Sequence, residues 1–125
     1  MDWIQQAVRE FGDTLGIQDL GFNASVGLEV MLDSGEVVGI AHSPALALGE
    51  MLVYASGPLA FDPVPQMEAA LKLSNARRAS APYVHAGVID SLLVMAIRLD
   101  VREFNLPLLD EAVWRLVDMQ HEAAA

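Results

Sequence analysis

The residues that could carry out chemistry in this sequence are three histidines, His42, His85 and His121, and seven serines. A metal site needs histidines close to other His, Asp or Glu ligands, and only His121 has such neighbours, Asp118 and Glu122 at the end of the chain. No serine lies in the Gly-x-Ser-x-Gly pattern of a nucleophile elbow. The glycine-containing stretches match neither a dinucleotide fingerprint nor a phosphate loop. We therefore predict no catalytic residue, no metal site and no cofactor.

Charge restricts the partners of this chain. The formal net charge is −10, and residues 1–62 hold nine acids against the single base Arg9, whereas the rest holds eight acids and six bases. Nucleic acids and anionic membrane surfaces are bound through clustered Lys and Arg, so both are disfavoured. The acidic first half either steers a basic partner or keeps an apolar protein in solution.

Composition and hydropathy predict one soluble domain. The 125 residues, 54% of them hydrophobic, suffice for a single core with apolar residues to spare, so we expect one domain over residues 1–125. The absence of cysteine suits a reducing compartment, and the first residues lack the pattern of a signal peptide. Pro44, Glu50 and Pro58 interrupt the most apolar window, so we expect no membrane insertion and a cytoplasmic location.

The elements that would position any functional residue follow from periodicity. Apolar residues at helical spacing predict a first helix that starts near Asp2 and ends at Gly16, a second over residues 62–78 and a third from about Pro107. Extended runs predict strands over residues 22–32, 36–42, 50–56, 83–89 and 91–99, with turns at Gly35 and near Asp90. The order α-β-β-β-α-β-β-α predicts an α+β fold with an antiparallel sheet packed against helices.

Two methionines are the best candidates for a binding surface. Residues 22–32 alternate, with Leu28 and Val30 in the apolar row and Met31 in the opposite row. Met51 aligns with Val53 in its own strand, and we place that row on an exposed face as well. Methionine usually fills core gaps, but on an exposed face it suits the binding of varied apolar side chains.

Several stretches together resemble the class I type III secretion chaperones, the Tir chaperone family. They are "LGFNASVGLEVML" after the opening helix, "MEAALKLSNARRAS" with its Leu-x-Asn at residues 73–75, and "LLVMAIRLDVREFNLPLLDEAVWRLVDMQHEA" as last strand and closing helix. The resemblance covers about residues 3–122. It implies a bacterial cytoplasmic homodimer without enzymatic activity, which binds the amino-terminal region of a secreted effector in extended form and keeps it competent for secretion.

The resemblance also suggests where the partners bind. Family members hold effector segments on the first helix and the first three strands, which here points to Trp3, Ile4, Met31, Leu46, Leu48, Met51 and Val53. Family dimers pack through the central helix and the strand after it, which here points to Met67, Leu71, Ser74, Val84, Ala86 and Val88. Two other functions fit the same composition: a small-molecule-binding α+β domain, and an adaptor for a folded protein.

Overall fold

Three helices and five strands lie in the parts of the chain that the computed structural model describes, which are residues 2–18, 20–21, 27–41, 49–76 and 84–124. In chain order they are α1 (Asp2–Thr14), β1 (Leu28–Met31), β2 (Val37–Ala41), β3 (Glu50–Pro58), α2 (Val64–Ala76), β4 (Val84–Ile89), β5 (Leu92–Asp100) and α3 (Leu106–Ala124). A single turn of 3-10 helix, Val101–Glu103, precedes α3. The predicted element order and the α+β class are confirmed.

The ends of these elements lie where local sequence signals place them. Gly16 follows α1 with a positive φ of 78°, and Gly35 takes a φ of 98° in the turn between β1 and β2, as both turns require. Asp90 adopts a φ of 55° in the two-residue turn between β4 and β5. At the start of α3, the Asn105 side chain accepts a hydrogen bond of 2.9 Å from the Leu108 backbone N–H. Each boundary therefore has a local cause.

The five strands form one antiparallel sheet in the order β1-β2-β3-β5-β4. Helix α2 connects β3 to the far edge strand β4, and β5 then returns between them. The edges of the sheet in the described part of the chain are therefore β1 and β4. In the described part of the chain the first strand runs from Leu28 to Met31, and the predicted strand residues 22–26 lie outside the described ranges. The third strand extends two residues beyond its predicted end, to Pro58.

One face of the sheet packs against the helices and holds the core. The strand register places the buried side chains of adjacent strands opposite one another, with Ile40 opposite Val53 and Val53 opposite Ile97. Helix α3 contacts β3, β5 and both other helices. Near its end the buried Gln120 side chain donates hydrogen bonds of 3.0 Å and 2.8 Å to the carbonyl oxygens of Ala55 and Leu93. Gln120 thereby joins α3 to the two central strands.

The expected exposure of one row of β3 is wrong. Met51 and Val53 lie on the helix-facing side of the sheet, each 0% exposed, while Leu52 and Tyr54 lie on the opposite side and are partly exposed. All five residues from Met51 to Ala55 are apolar or aromatic, so alternation alone separates two rows without telling which is inside. The pairing of Val53 with Ile40 and Ile97 places its row on the helix-facing side. No helix in the described ranges is both long and apolar enough to span a membrane.

Candidate functional site

The outer face of strands β1 to β3 carries a partly exposed surface next to a sheet edge. Met31 is 73% exposed there, which confirms its predicted place on the face opposite the core. Among the described residues no strand pairs with the outer side of β1. Such an edge offers backbone N–H and C=O groups to an extended peptide, and neighbouring apolar side chains can bind that peptide's own.

A tyrosine braces this edge from the outer face. Glu29, Gly39 and Tyr54 lie opposite one another on three adjacent strands. The Tyr54 hydroxyl donates a hydrogen bond of 2.6 Å to Glu29 Oε2, so its ring crosses over Gly39. A Cβ at Gly39 would lie 2.0 Å from Tyr54 Cζ, which explains the glycine inside an apolar strand. Burial, and then the hydrogen bond and charge of Glu29, raise the pKa of Tyr54.

A carboxylate holds the same hairpin from the inner face. Glu36, only 7% exposed, accepts a hydrogen bond from the Ser34 hydroxyl and contacts His121 Nε2 of α3. Burial alone would raise the pKa of Glu36, but Ser34, the backbone N–H and His121 outweigh it and lower that pKa. The β1–β2 hairpin is therefore tied both to β3 and to the end of α3.

The residues predicted to contact an effector do not all form one surface. Ile4, Met51 and Val53 are each 0% exposed in the core, so the structure gives a partner no access to them. Ile4 belongs to the buried stripe of α1, which packs against α3. Trp3 is 50% exposed, and its indole N–H donates a 3.2 Å hydrogen bond to the Val101 carbonyl. Leu46 and Leu48 lie outside the described residues.

Four of the six residues predicted to form a dimer interface line an apolar groove between α2 and β4. Met67, Leu71, Ala86 and Val88 line this groove of about 170 Å³, together with Ala70, Gly87 and Leu93. Ser74 and Val84 are instead buried within the protomer, at 8% and 3% exposure. Helix α2, which holds Ser74, packs against α3 and β4. The groove is the second partly exposed apolar surface of the chain.

Several residues that shape these surfaces were not predicted. Tyr54 and Gly39 form the brace, and the signal for it was a glycine in the middle of the apolar strand "VVGIA". His121, expected on an exposed tail, is indeed exposed, but it lies within α3, which continues to Ala124, and it contacts Glu36. Phe61, before α2, is fully exposed and was not among the predicted site residues. Among the described residues no three acidic or histidine side chains converge as metal ligands would.

The class of fold is defined by three helices and one five-stranded antiparallel sheet. Solved structures with this fold include the HopA1–SchA chaperone–effector complex, matched at 16% identity over 98% of this chain and 94% of that chain with a TM-score of 0.74. The type III secretion chaperone SycH of Yersinia pestis, in complex with a stable fragment of YscM2, matches at 16% identity, 94% and 97% coverage and a TM-score of 0.68. The ExsC–ExsE complex matches at 12% identity, 94% and 87% coverage and a TM-score of 0.71.

The sequence itself identifies the family. The profile of the Type III secretory system chaperone SycN family matches residues 3–124, nearly the whole chain. No curated protein sequence matches this chain. The chain belongs to the Type III secretory system chaperone SycN family.

Proposed function

We propose that this chain is a cytoplasmic, non-enzymatic chaperone of the class I (Tir chaperone) type, which binds the amino-terminal region of a secreted effector in extended form. The family match over residues 3–124 is the observation that carries this proposal. The predicted alternatives, a small-molecule-binding domain and an adaptor for a folded protein, remain as outcomes of the experiment below.

The surface around β1 suits an extended segment better than a folded partner. Ordering an extended chain costs about 1–2 kcal/mol per residue in backbone entropy, whereas burying one aliphatic side chain gains about 1.5–3 kcal/mol. Such a segment needs frequent apolar anchors and backbone hydrogen bonds together. Met31, at 73% exposure, supplies an adaptable anchor. The adjoining edge of β1 supplies the hydrogen-bonding groups.

We further propose that the chain acts as a homodimer through α2 and β4. The apolar groove between Met67, Leu71 and Val88 supports this, since Leu71 and Val88 are 56% and 42% exposed in the protomer. A second copy would cover them. Two linked copies also give an extended effector two binding surfaces, which raises the effective concentration of the second contact.

The experiment for effector binding substitutes Met31 alone. The tagged chain is expressed in its native cell, and the partner that co-purifies is mapped by limited proteolysis and hydrogen exchange. We expect a protected segment near the partner's amino terminus, without secondary structure of its own. Met31→Glu should abolish co-purification, whereas Met31→Leu, the matched control, should retain it. Because Met31 is 73% exposed, both variants should keep the thermal stability of the original chain.

Other outcomes would replace the proposal. Protection of a compact domain would favour the adaptor for a folded protein, and a metabolite that raises the melting temperature without any protein partner would favour the small-molecule domain. Equal binding by the Glu and Leu variants would exclude Met31 from the site.

A further inference from the structure

The outer face of strand β1 carries one charged and one apolar side chain next to each other. Glu29 and Met31 are two residues apart in this strand, so both project from the face of the sheet opposite the core. Both are exposed, whereas Leu28 and Val30, which alternate with them, are half-buried on the helix-facing side. An extended segment that pairs with β1, as proposed above, meets all four side chains.

The carboxylate of Glu29 is held in place but not neutralised. Its Oε2 accepts the 2.6 Å hydrogen bond from the Tyr54 hydroxyl, and among the residues that the structure describes no Lys, Arg or His forms an ion pair with it. An ionised carboxylate accepts hydrogen bonds on both oxygens, so Oε1 can take a second donor. Because Tyr54 already restricts the Glu29 side chain, a cation that binds there immobilises little more.

No base of the β1–β2 hairpin competes for this carboxylate. Residues 28–41, which form β1, the turn and β2, contain the acids Glu29, Asp33 and Glu36 and no Lys or Arg. Glu36 lies on the inner face, where it contacts His121. Asp33 is exposed in the turn beyond the end of β1. Glu29 is therefore the acid of the hairpin that faces a segment bound along the outer face of the edge.

The geometry of strand pairing determines which residue types such a segment carries. Directly opposite residues on adjacent antiparallel strands have Cβ atoms about 4.5–5.5 Å apart, so opposite charges attract and like charges repel there. A Lys or Arg opposite Glu29 compensates the carboxylate, whereas an Asp or Glu at that position is disfavoured. Met31, two residues along, contacts an apolar side chain on the same face. On the other face, apolar residues cover the half-buried Leu28 and Val30.

We propose that the β1 edge selects an extended segment in which a Lys or Arg pairs with Glu29 and stands between two apolar residues. A third apolar residue, opposite Met31, lies two positions from the basic one. It follows the basic residue when the segment runs parallel to β1 and precedes it when the segment runs antiparallel. This inference rests on the effector binding proposed above and defines the class of segment that binds: an apolar segment with a basic residue at a fixed position.

A display library of random peptides tests this pattern without the effector itself. Peptides are selected on the original chain, and those that also bind Met31→Glu are removed, so that the remaining peptides depend on the β1 edge. We expect Lys or Arg to be enriched between apolar residues in these peptides. Glu29→Gln should abolish the enrichment, since glutamine keeps an acceptor oxygen for Tyr54 but carries no charge. Asp33→Asn, the matched control, removes an equal charge from an exposed acid in the turn and should leave the enrichment unchanged.

Dissociation constants of one selected peptide measure the strength of the pair. Replacing the basic residue of the peptide with glutamine should raise the dissociation constant about threefold to fivefold for the original chain, and less than about twofold for Glu29→Gln, as expected for one cross-strand charge pair. In Glu29→Lys the preference should reverse, so that peptides with Asp or Glu at the same position are enriched. Because Glu29 and Asp33 are exposed, the variants should retain cooperative thermal unfolding.

Three results would refute the pairing. Peptides that depend on Met31 but show no preference for a basic residue would overturn it and leave effector binding at β1 intact. An enrichment that survives Glu29→Gln, or that Asp33→Asn abolishes to the same extent, would assign the preference to the overall acidity of the chain and also overturn the pairing. If no selected peptide depends on Met31, both the pairing and the proposed effector site at β1 are wrong.

Discussion

Replacing Gly39 with alanine tests whether Tyr54 braces the exposed sheet edge. A Cβ at this position would lie 2.0 Å from Tyr54 Cζ, 2.3 Å from its Oη and 2.5 Å from its Cε1. No such contact is tolerated, so the tyrosine ring must leave its place across β2. The 2.6 Å hydrogen bond from the Tyr54 hydroxyl to Glu29 is then lost. The substitution should therefore act on β1 although it is made in β2.

The expected change in the free energy of unfolding on Gly39→Ala follows from two opposing effects. A hydrogen bond to a charged acceptor contributes about 1.5–3 kcal/mol when fully buried, and because Tyr54 is only partly buried we take about 1–2 kcal/mol. Alanine is itself better than glycine in a strand by about 0.5–1 kcal/mol. Gly39→Ala should lower the free energy of unfolding by roughly 0.5–1 kcal/mol. In a Tyr54→Ala background, where no ring opposes the new Cβ, it should instead raise that free energy by about 0.5 kcal/mol or more.

Two measurements check this double-mutant cycle. Urea denaturation at one fixed protein concentration gives the four free energies of unfolding, and their coupling should be about 1–2 kcal/mol. Ultraviolet titration of the phenol gives an independent signal, because the pKa of Tyr54 is raised in the original chain. In Gly39→Ala it should fall back towards the ordinary 10.0. An equal effect of Gly39→Ala with and without the Tyr54 ring, or an unshifted phenol, would refute the brace.

Two further substitutions test buried polar groups. The pKa of Glu36 is lower in the folded chain than its ordinary value of 4.5, so its contribution is complete above that value and is lost as pH falls through the folded pKa. Glu36→Gln should therefore lower the free energy of unfolding by about 1 kcal/mol near neutral pH and by progressively less below pH 4.5, and a difference independent of pH would contradict the lowered pKa of Glu36. Among the residues that the structure describes, the buried Ser74 hydroxyl has no hydrogen-bond partner, so Ser74→Ala should raise the melting temperature, by an amount corresponding to up to about 1 kcal/mol. A lower melting temperature would show that the hydroxyl is paired in solution.

Much of the fold was predictable because its signals are local. Gly16 and Gly35 end their elements through positive φ angles that other residues rarely adopt, and the helix spacing of Ile4, Val8 and Phe11 produced the buried stripe of α1. These signals involve neighbours within about one turn of the chain, so they need no knowledge of the tertiary structure.

The predicted site was less accurate because exposure depends on pairing between distant strands. Met31 and Met51 both stand in predicted strands, yet Met31 is 73% exposed and Met51 is 0% exposed. Around Met31 the alternate residues Glu29 and Asp33 are charged, which marks that row as the outer one. Around Met51 both rows are apolar, and only the register with β5, where Met51 lies opposite Leu99, decides which row faces the helices.

The acidic hairpin β1–β2 explains how an open sheet edge can be kept ready for a partner. A strand of four residues at an edge has few hydrogen bonds of its own. Here Glu29 is held by Tyr54 on the outer face and Glu36 by His121 on the inner face, so two acids fix the hairpin from opposite sides. Part of the acidity of the first half is therefore structural, in addition to any role in steering or solubility. Because β1 is ordered before binding, an incoming segment bears only its own ordering cost, and fewer anchors such as Met31 are needed to bind it.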